Sequence, residues 1–269
     1  MGYQISYGCV SHVGRRRRMN QDNFLCAGKY ARLEPTDSTL TPISGEVNSG
    51  QNALFGVFDG MGGEERGEMA SYLAAKAAFD TMRTEDSRQV LKKVCQQASL
   101  SICNFVKQND LGTCGTTAVM ALTNPCGISF CNIGDSKLFR LTEGHLLQLS
   151  QDDLSIAPFG EKPPLSQYLG ISPEELTICP HYGEQPYKVG DKYLLCSDGL
   201  TDMVPQEQIA QILTKQAPEP AAQLLLRQAL DNGGKDNVTL IVLEVGKIRS
   251  VGLLQRCLLY TSDAADDKA

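Results

Sequence analysis

Aspartates stand at the ends of apolar, strand-like runs in five places along the chain. They are Asp22, Asp59, Asp135, Asp198 and Asp236. One aspartate beside glycine or asparagine is ordinary turn chemistry, but a carboxylate at the edge of a core is costly unless it is paired or bound to a cation. If the five ends converge, their repulsion raises the carboxyl pKa values unless divalent cations neutralise them. The recurrence therefore favours a metal site over five separate turns.

The donor atoms for such a site are oxygens. The chain has only three histidines, and none of its ten cysteines forms a Cys-x-x-Cys pair, which argues against a zinc site. Carboxylate oxygens suit hard ions such as Mg²⁺ or Mn²⁺, which keep several waters. Gly60, Gly62 and Gly63 follow Asp59 and let the backbone turn tightly beside an ion.

Strands and helices must bring these aspartates together. Segments that alternate or run apolar between turn residues predict strands at Ile5–Val10, Asn23–Ala27, Ala53–Phe58, Thr116–Leu122, Gly127–Ile133, Lys137–Thr142, Lys192–Cys196 and Val238–Val245. Apolar residues at helical spacing predict helices at Glu64–Met82, Ser87–Lys107 and Pro220–Leu230. The strands group around a consecutive pair of helices, and no β-α-β alternation occurs. This order predicts an α+β fold of antiparallel sheets with helices packed outside them.

Two connections are also predicted from turn residues. Residues 140–149 indicate a hairpin with its turn at Glu143 and Gly144. Residues 31–52, rich in Pro, Ser, Thr, Gly and Asn, are predicted to form one polar loop.

The domain organisation is simple. No linker interrupts the chain before residue 246, so residues 1–246 are expected to form one domain. Residues 247–256 would begin a truncated C-terminal extension. Residues 257–269 resemble a translated sequencing adapter and are excluded from the fold prediction.

Composition argues against several classes of partner. A net charge of −6 and a pI near 5.2 disfavour a broad surface for nucleic acid or anionic membranes. No apolar run approaches the length of a membrane span. The cysteines are scattered through apolar segments without a signal peptide ahead of them, which indicates reduced core thiols in a cytoplasmic protein.

The motifs around the aspartates resemble those of a known family when they are taken in order. They are Arg17-x-x-Asn20-Gln21-Asp22, FDGMGG, GTTAV, NIGDSK, SDGL and KDNVT. Together they resemble the PP2C-type metal-dependent protein serine/threonine phosphatases, and DGMGG and NQD are similar to the bacterial branch. The resemblance runs from about residue 1 to 245. It implies a four-layer α-β-β-α sandwich of two antiparallel sheets, with a dinuclear metal site at one end of the sheets.

The resemblance also implies metal ligands residue by residue. Asp59 would bridge two Mn²⁺ or Mg²⁺ ions, and the backbone carbonyl of Gly60 would bind the first. Asp198 and Asp236 would complete the ligands of that first ion. Asp22 would hold the second ion directly or through water.

Two further roles follow from the same resemblance. Asp135 would hold a third, more weakly bound ion together with Asp198, and Arg17 would bind the substrate phosphate through its planar fork of donors. The expected reaction is hydrolysis of phosphoserine and phosphothreonine in proteins by metal-activated water. The enzyme would be a monomer that opposes a serine/threonine kinase.

The chain departs from the family pattern in two places. Met61 stands where eukaryotic members have a histidine that could protonate the leaving group. The segment between Asp152 and Lys192, which corresponds to a mobile flap, is short and rich in proline. His12 lies in the same N-terminal region as Arg17, but a lone histidine is more often a surface or core residue than a catalytic acid. His145 is predicted in a hairpin turn and His181 in a loop, and neither has a mechanism attached.

Two alternatives stay open at this point. A pseudophosphatase would bind phosphoproteins without turnover, and it predicts loss of metal carboxylates, whereas Asp22, Asp59, Asp198 and Asp236 are all present. A hydrolase of small phosphoesters or nucleotides on the same scaffold is separated from a protein phosphatase only by comparing substrates.

Overall fold

A computed structural model describes residues 2–33, 42–61, 66–82, 87–158 and 162–247. Its strands are β1 (Tyr3–His12), β2 (Asp22–Cys26), β3 (Lys29–Tyr30), β4 (Ile43–Asn48), β5 (Leu54–Met61), β6 (Gly115–Thr116), β7 (Ala118–Thr123), β8 (Gly127–Ile133), β9 (Lys137–Thr142), β10 (His145–Gln148), β11 (His181–Pro186), β12 (Lys192–Cys196) and β13 (Val238–Lys247). Its helices are α1 (Gly67–Thr81), α2 (Ser87–Asn109), α3 (Asp198–Thr201), α4 (Gln206–Lys215) and α5 (Pro218–Asp231), and a 3₁₀ turn covers Ser49–Gln51.

The strands of these described residues form two antiparallel sheets. The order is β10-β9-β12-β13-β1-β4 in the first sheet and β11-β8-β7-β5-β2-β3 in the second, where β6 also pairs with β5. The long strands β1 and β13 pair along their whole length at the middle of the first sheet.

Three apolar clusters hold the layers together. Side chains such as Phe55 and Tyr193 fill the space between the two sheets. On the outer face of the second sheet, α1 and α2 pack through small residues including Ala74, which let α1 approach the sheet closely. Leu213 of α4 and Leu225 of α5 cover the outer face of the first sheet. The layers therefore follow the order α-β-β-α, and the predicted α+β sandwich is confirmed.

Antiparallel pairing explains why aspartates far apart in the sequence meet. In an antiparallel pair, the start of one strand lies beside the end of its neighbour. Asp22 begins β2 and lies directly opposite Asp59 near the end of β5. Asp198 follows the end of β12, and Asp236 precedes β13, which pairs with β12. Asp22 and Asp59 therefore lie together at one end of the second sheet, and Asp198 and Asp236 lie together at one end of the first sheet.

The prediction of one polar loop over residues 31–52 is wrong for its second half. Ile43–Asn48 forms strand β4, which pairs with β1 at the edge of the first sheet. An edge strand with alternate residues in solvent needs few apolar side chains, and this explains why its polar composition concealed it. Residues 34–41 lie outside the described residues.

The prediction that His181 lies in a loop is wrong. His181 begins strand β11 and pairs with Asn132 at the edge of the second sheet. The predicted turn at Glu143 and Gly144 is confirmed, but His145 does not lie in that turn as predicted, because it begins strand β10 and pairs with Thr142. The short helices α3 and α4 were not predicted.

Some sequence predictions fall on residues that the structure does not describe. The start of the first predicted helix at Glu64 lies outside the described residues, as do Gly62 and Gly63. The predicted extension at 247–256 and the tail at 257–269 also lie outside them, except for Lys247 at the end of β13.

The cysteines of the described residues are free thiols. Seven of these are buried, as predicted for core residues, but Cys126 and Cys179 are exposed, which corrects the prediction for those two. Among the described helices, none is both long and apolar enough to cross a membrane.

Candidate metal centre

The second sheet contributes two facing carboxylates. Asp22 and Asp59 are direct cross-strand partners on β2 and β5. Asp22 is only 5% exposed, and its Oδ2 accepts a 2.8 Å hydrogen bond from the hydroxyl of Ser197. Its other oxygen, Oδ1, is buried and has no hydrogen-bond partner among the described residues. A buried carboxylate oxygen without a donor is costly, so this atom faces a place suited to a cation.

The carboxylates influence one another strongly. Burial and the charges of the other four aspartates raise the pKa of Asp59 well above its ordinary value. Burial raises the pKa of Asp22 to about 7, with Asp198 and Asp236 adding to the rise and hydrogen bonds from Ser197 and Thr239 opposing it.

Asp135 belongs to the same electrostatic cluster. Burial and the charge of Asp198 raise its pKa to about 6, against the lowering effect of Lys162 and Lys137. Shifts in this direction mean that the protein without cations holds carboxyl groups that resist ionisation.

Hydroxyl groups beneath the carboxylates hold the strand ends in place. The carbonyl of Asp59 accepts bonds from the Thr116 hydroxyl and the Thr117 amide, both at 2.9 Å. The Thr117 hydroxyl in turn lies 2.7 Å from that of Ser136, beside Asp135. Sequence reasoning assigned these residues no role. They lie within the GTTAV and NIGDSK motifs. The sequence spacing of serine and threonine does not reveal which groups their hydroxyls bond to in the folded chain.

Asn237 fastens the N-terminal loop to the site and was also missed. Its side-chain amide donates to the carbonyls of Val13 and Met19 at 2.8 and 3.0 Å, and its Oδ1 accepts from the amide of Gln21 at 2.8 Å. Asn237 is 4% exposed. It therefore holds the loop that carries Arg17 against the strand that begins after Asp236.

Gly60 lies where two backbone segments come very close. A Cβ atom at this position would be 2.2 Å from the carbonyl oxygen of Gly67 and 2.4 Å from that of Gln21. Its amide also donates to the Gln21 carbonyl at 3.1 Å. A side chain here would force backbone apart, because neither contact atom belongs to a flexible side chain.

We expect Gly60→Ala to lower the free energy of unfolding by about 2–4 kcal/mol, since overpacking against backbone cannot be relieved by rotamer changes. Urea denaturation in EDTA measures this without any contribution from metal. The matched control is Gly50→Ala, because a Cβ at that exposed position meets no atom within 4 Å. Equal stability losses in the two variants would contradict the role assigned to Gly60.

Two basic side chains hold carboxylates at the mouth of the site. The Arg17 guanidinium donates to Asp236 at 2.7 Å, and this bond outweighs burial to raise the pKa of Arg17. Lys162 pairs with Asp198 and, at 3.1 Å, with Asp202. Burial lowers the pKa of Lys162, but these two carboxylates outweigh it and raise the pKa overall. A single lysine in a proline-rich segment gives no sequence signal, so Lys162 was not predicted.

The donor set fits a hard divalent cation. It consists of carboxylate oxygens, the unpartnered Oδ1 of Asp22 and the backbone at Gly60, with no sulfur or imidazole among the predicted ligands. As the side chains stand, no three acidic, histidine or cysteine side chains of the described ranges surround one point. Asp198 and Asp236 are instead paired with Lys162 and Arg17.

The histidines near the site have other partners. His12 Nδ1 accepts the amide of Gly14 at 2.8 Å, and His181 Nε2 lies 2.7 Å from Asp153. Met61, at the end of β5, is partly buried beside its strand partner Gly115 and has no group that could donate a proton.

Cys9 and Arg15 have the Cys-x₅-Arg spacing that is typical of cysteine-dependent phosphatases. Cys9 is 1% exposed and packs between the sheets, where burial raises the pKa of its thiol well above the ordinary value. Arg15 pairs with Asp231 on the surface. A buried neutral thiol is not a nucleophile, so this pair does not form a second active site.

Comparison with known proteins gives consistent results. The sequence profile of the family described as Protein phosphatase 2C matches residues 43–232. The serine/threonine phosphatase stp of Listeria monocytogenes serovar 1/2a is 30% identical over 213 residues, which cover 70% of this chain and 82% of that relative.

Solved structures resemble the whole fold. The Mycobacterium tuberculosis serine/threonine phosphatase PstP/Ppp is 26% identical with a TM-score of 0.73, covering 90% of this chain and 99% of that one. The catalytic domain of the serine/threonine protein phosphatase PstP in complex with two manganese ions is 27% identical with a TM-score of 0.69, covering 91% and 100% of the two chains.

Proposed function

The chain belongs to the protein phosphatase 2C family, and from this premise we propose that it removes phosphate from phosphoserine and phosphothreonine in proteins. It is a metal-dependent protein serine/threonine phosphatase of the bacterial type. The observation that carries the proposal is a cluster of carboxylates beside an arginine. Asp22 and Asp59 belong to strands of the second sheet, and Asp198 and Asp236 flank the ends of two paired strands of the first sheet.

The proposed ligands of two Mn²⁺ or Mg²⁺ ions are those that can offer oxygen at this end of the sheets. Asp59, with two carboxylate oxygens and four acidic neighbours, suits the bridging position. Asp198, Asp236 and the Gly60 carbonyl would hold the first ion, and Asp22 would hold the second.

Asp135 would hold a third ion together with Asp198, whose charge raises the pKa of Asp135. Bound divalent ions supply positive charge that polarises the phosphoryl group and makes water more acidic.

Arg17 is proposed to bind the phosphoryl oxygens of the substrate. Its side chain is about half exposed and contacts Asp236 through one nitrogen, so its other donors can reach a substrate. A planar fork matches two phosphoryl oxygens at once. Since Met61 has no proton to give, the leaving serine or threonine oxygen would take its proton from water.

The proposal extends to domain, location and partners. Residues 1–246 would form the catalytic domain, and the protein would act as a monomer on phosphoproteins in opposition to a serine/threonine kinase. The free thiols of the described residues support a reducing compartment such as the cytoplasm. The retained metal carboxylates argue against the pseudophosphatase alternative.

The test is hydrolysis of a phosphothreonine peptide by the full chain in Mn²⁺, in Mg²⁺ and in EDTA, beside a nucleotide and a small phosphoester. Turnover of the peptide that requires metal supports the proposal. Faster turnover of the nucleotide or small ester than of the peptide would favour the small-molecule hydrolase. Metal binding without any turnover would favour the pseudophosphatase.

We expect Arg17→Lys to lower kcat/KM for the phosphopeptide roughly 10- to 100-fold, because a lysine ammonium cannot bind two phosphoryl oxygens in one plane. Steady-state kinetics in saturating Mn²⁺ measures the change. Arg15→Lys is the matched control, since Arg15 lies two residues away and pairs with Asp231 on the surface. If both variants lose the same activity, Arg17 has no special role in phosphate binding.

A further inference from the structure

Lys162 lies two residues before a short antiparallel ladder within the flap segment, which lies between Asp152 and Lys192. The amide of Ser155 donates to the carbonyl of Pro164 at 2.8 Å, and the amide of Ser166 donates to the carbonyl of Asp153 at 2.9 Å. Leu154 and Leu165 face each other between these bonds. Lys162 therefore lies two residues beyond a hydrogen-bonded pair, so its backbone is held near the metal centre.

The base of this ladder is also fixed to the centre. The Asp153 carboxylate accepts the amide of Gly134 at 2.8 Å, and the Asp153 amide donates to the Gly134 carbonyl at 3.1 Å. Gly134 directly precedes Asp135. The ladder thus starts from one proposed ligand loop and directs Lys162 to another, at Asp198.

The ammonium of Lys162 lies on a proposed metal ligand. It donates to Oδ2 of Asp198 and, at 3.1 Å, to Oδ2 of Asp202. The Asp198 side chain is 13% exposed and that of Lys162 is 55% exposed. A carboxylate this sheltered gains more from a counter-ion than a surface pair does, because water screens it less.

Metal ions and the ammonium compete for Asp198, because the ammonium occupies Oδ2 and the proposed first and third ions would together use both carboxylate oxygens. Both bind the carboxylate through its lone pairs, and two cations within bonding distance of one oxygen repel each other. Arg17 also donates to a proposed metal ligand, Asp236. The lysine differs because no substrate-binding role has been assigned to it.

We propose that Lys162 is an internal counter-ion of Asp198 that divalent metal must displace, so that metal binding and release of the flap lysine are one coupled event. This inference rests on the proposed function only in taking Asp198 as a metal ligand. It predicts that the native lysine weakens metal binding. It also predicts that the ammonium becomes accessible when metal is bound.

The first test is calorimetric titration of the metal-stripped full chain with Mn²⁺ alone. Lys162→Met, which keeps the length but removes the charge, is expected to bind Mn²⁺ roughly three- to tenfold more tightly. Lys162→Arg should stay close to the native protein. Lys188→Met is the control, because Lys188 pairs with Glu143 on the surface. Unchanged or weaker binding by Lys162→Met would overturn the proposal.

The second test measures the lysine itself. Acetylation by an amine-reactive ester, followed by mass spectrometry, should modify Lys162 several-fold faster with Mn²⁺ than with EDTA, while Lys188 reacts at the same rate in both. If the salt bridge is purely structural, the Lys162 amine would be acetylated at the same rate with and without metal, and that result would refute the coupling.

Neither measurement requires turnover. If the chain binds Mn²⁺ with the expected Lys162 effects but hydrolyses no substrate, the proposed function fails and this inference stands. If the phosphatase is active but the Lys162 variants bind Mn²⁺ like the native chain, the inference fails alone. A native chain that binds no Mn²⁺ contradicts both.

Discussion

Asp59→Asn is expected to lower the rate of phosphopeptide turnover by about a thousandfold or more and to make the metal-free protein more stable. An amide offers one oxygen where a bridging ligand needs two. It also removes the charge that burial and four other carboxylates oppose. The expected rise in Tm in EDTA is about 2–6 °C, and the rise that Mn²⁺ gives the native protein should be largely lost.

Opposite changes in activity and stability make this variant informative. A substitution that merely damages the fold lowers both, whereas removal of a repelled functional charge lowers only activity. Asp80→Asn is the control, because Asp80 is an exposed aspartate paired with Lys76 on α1, and it should change neither quantity. A metal-free Asp59→Asn protein with a lower Tm than the native protein would show that the neighbouring carboxylates do not destabilise the native protein by repelling Asp59.

The stabilisation by Mn²⁺ should grow with pH, and it should be about 5–10 °C larger in Tm at pH 8 than at pH 5.5. Without metal, Asp22 has a pKa of about 7 and Asp135 of about 6, and the pKa of Asp59 is raised further by burial and its acidic neighbours. The unfolded chain ionises these groups near pH 4.

The sign follows from proton binding. Between about pH 4 and pH 7 the folded, metal-free protein holds more protons at these groups than the unfolded chain, so its stability falls as the pH rises. Bound metal needs the ionised carboxylates, so its contribution increases over the same range.

Thermal melts at each pH with Mn²⁺ and with EDTA measure the difference, and other titrating groups largely cancel. A constant metal effect from pH 5.5 to pH 8 would mean that these carboxylates are already ionised without metal. The pH range of the effect would show where these interacting carboxylates titrate as a group.

Short-range chemistry made much of this protein predictable from the sequence. Continuous apolar runs between turn residues indicated the central strands, because a strand buried on both faces has no polar face to alternate with the apolar one. Strand β4 escaped this reasoning, because its alternate residues are exposed and Ile43 and Val47 are its only large apolar side chains. Backbone hydrogen bonds to β1 hold β4 in the sheet, since its own side chains bury little apolar surface.

The composition of the candidate site was predictable from the sequence, because aspartates at the ends of apolar runs recur five times, more often than turns alone require. The groups that face these carboxylates could not be predicted before the fold was known. Ser197 bonds to Asp22, and Lys162 reaches Asp198 from 36 residues away. Such contacts depend on how two sheets and a flap pack together, and no local pattern encodes them, since a hydroxyl or an ammonium acquires its partner only when distant segments meet.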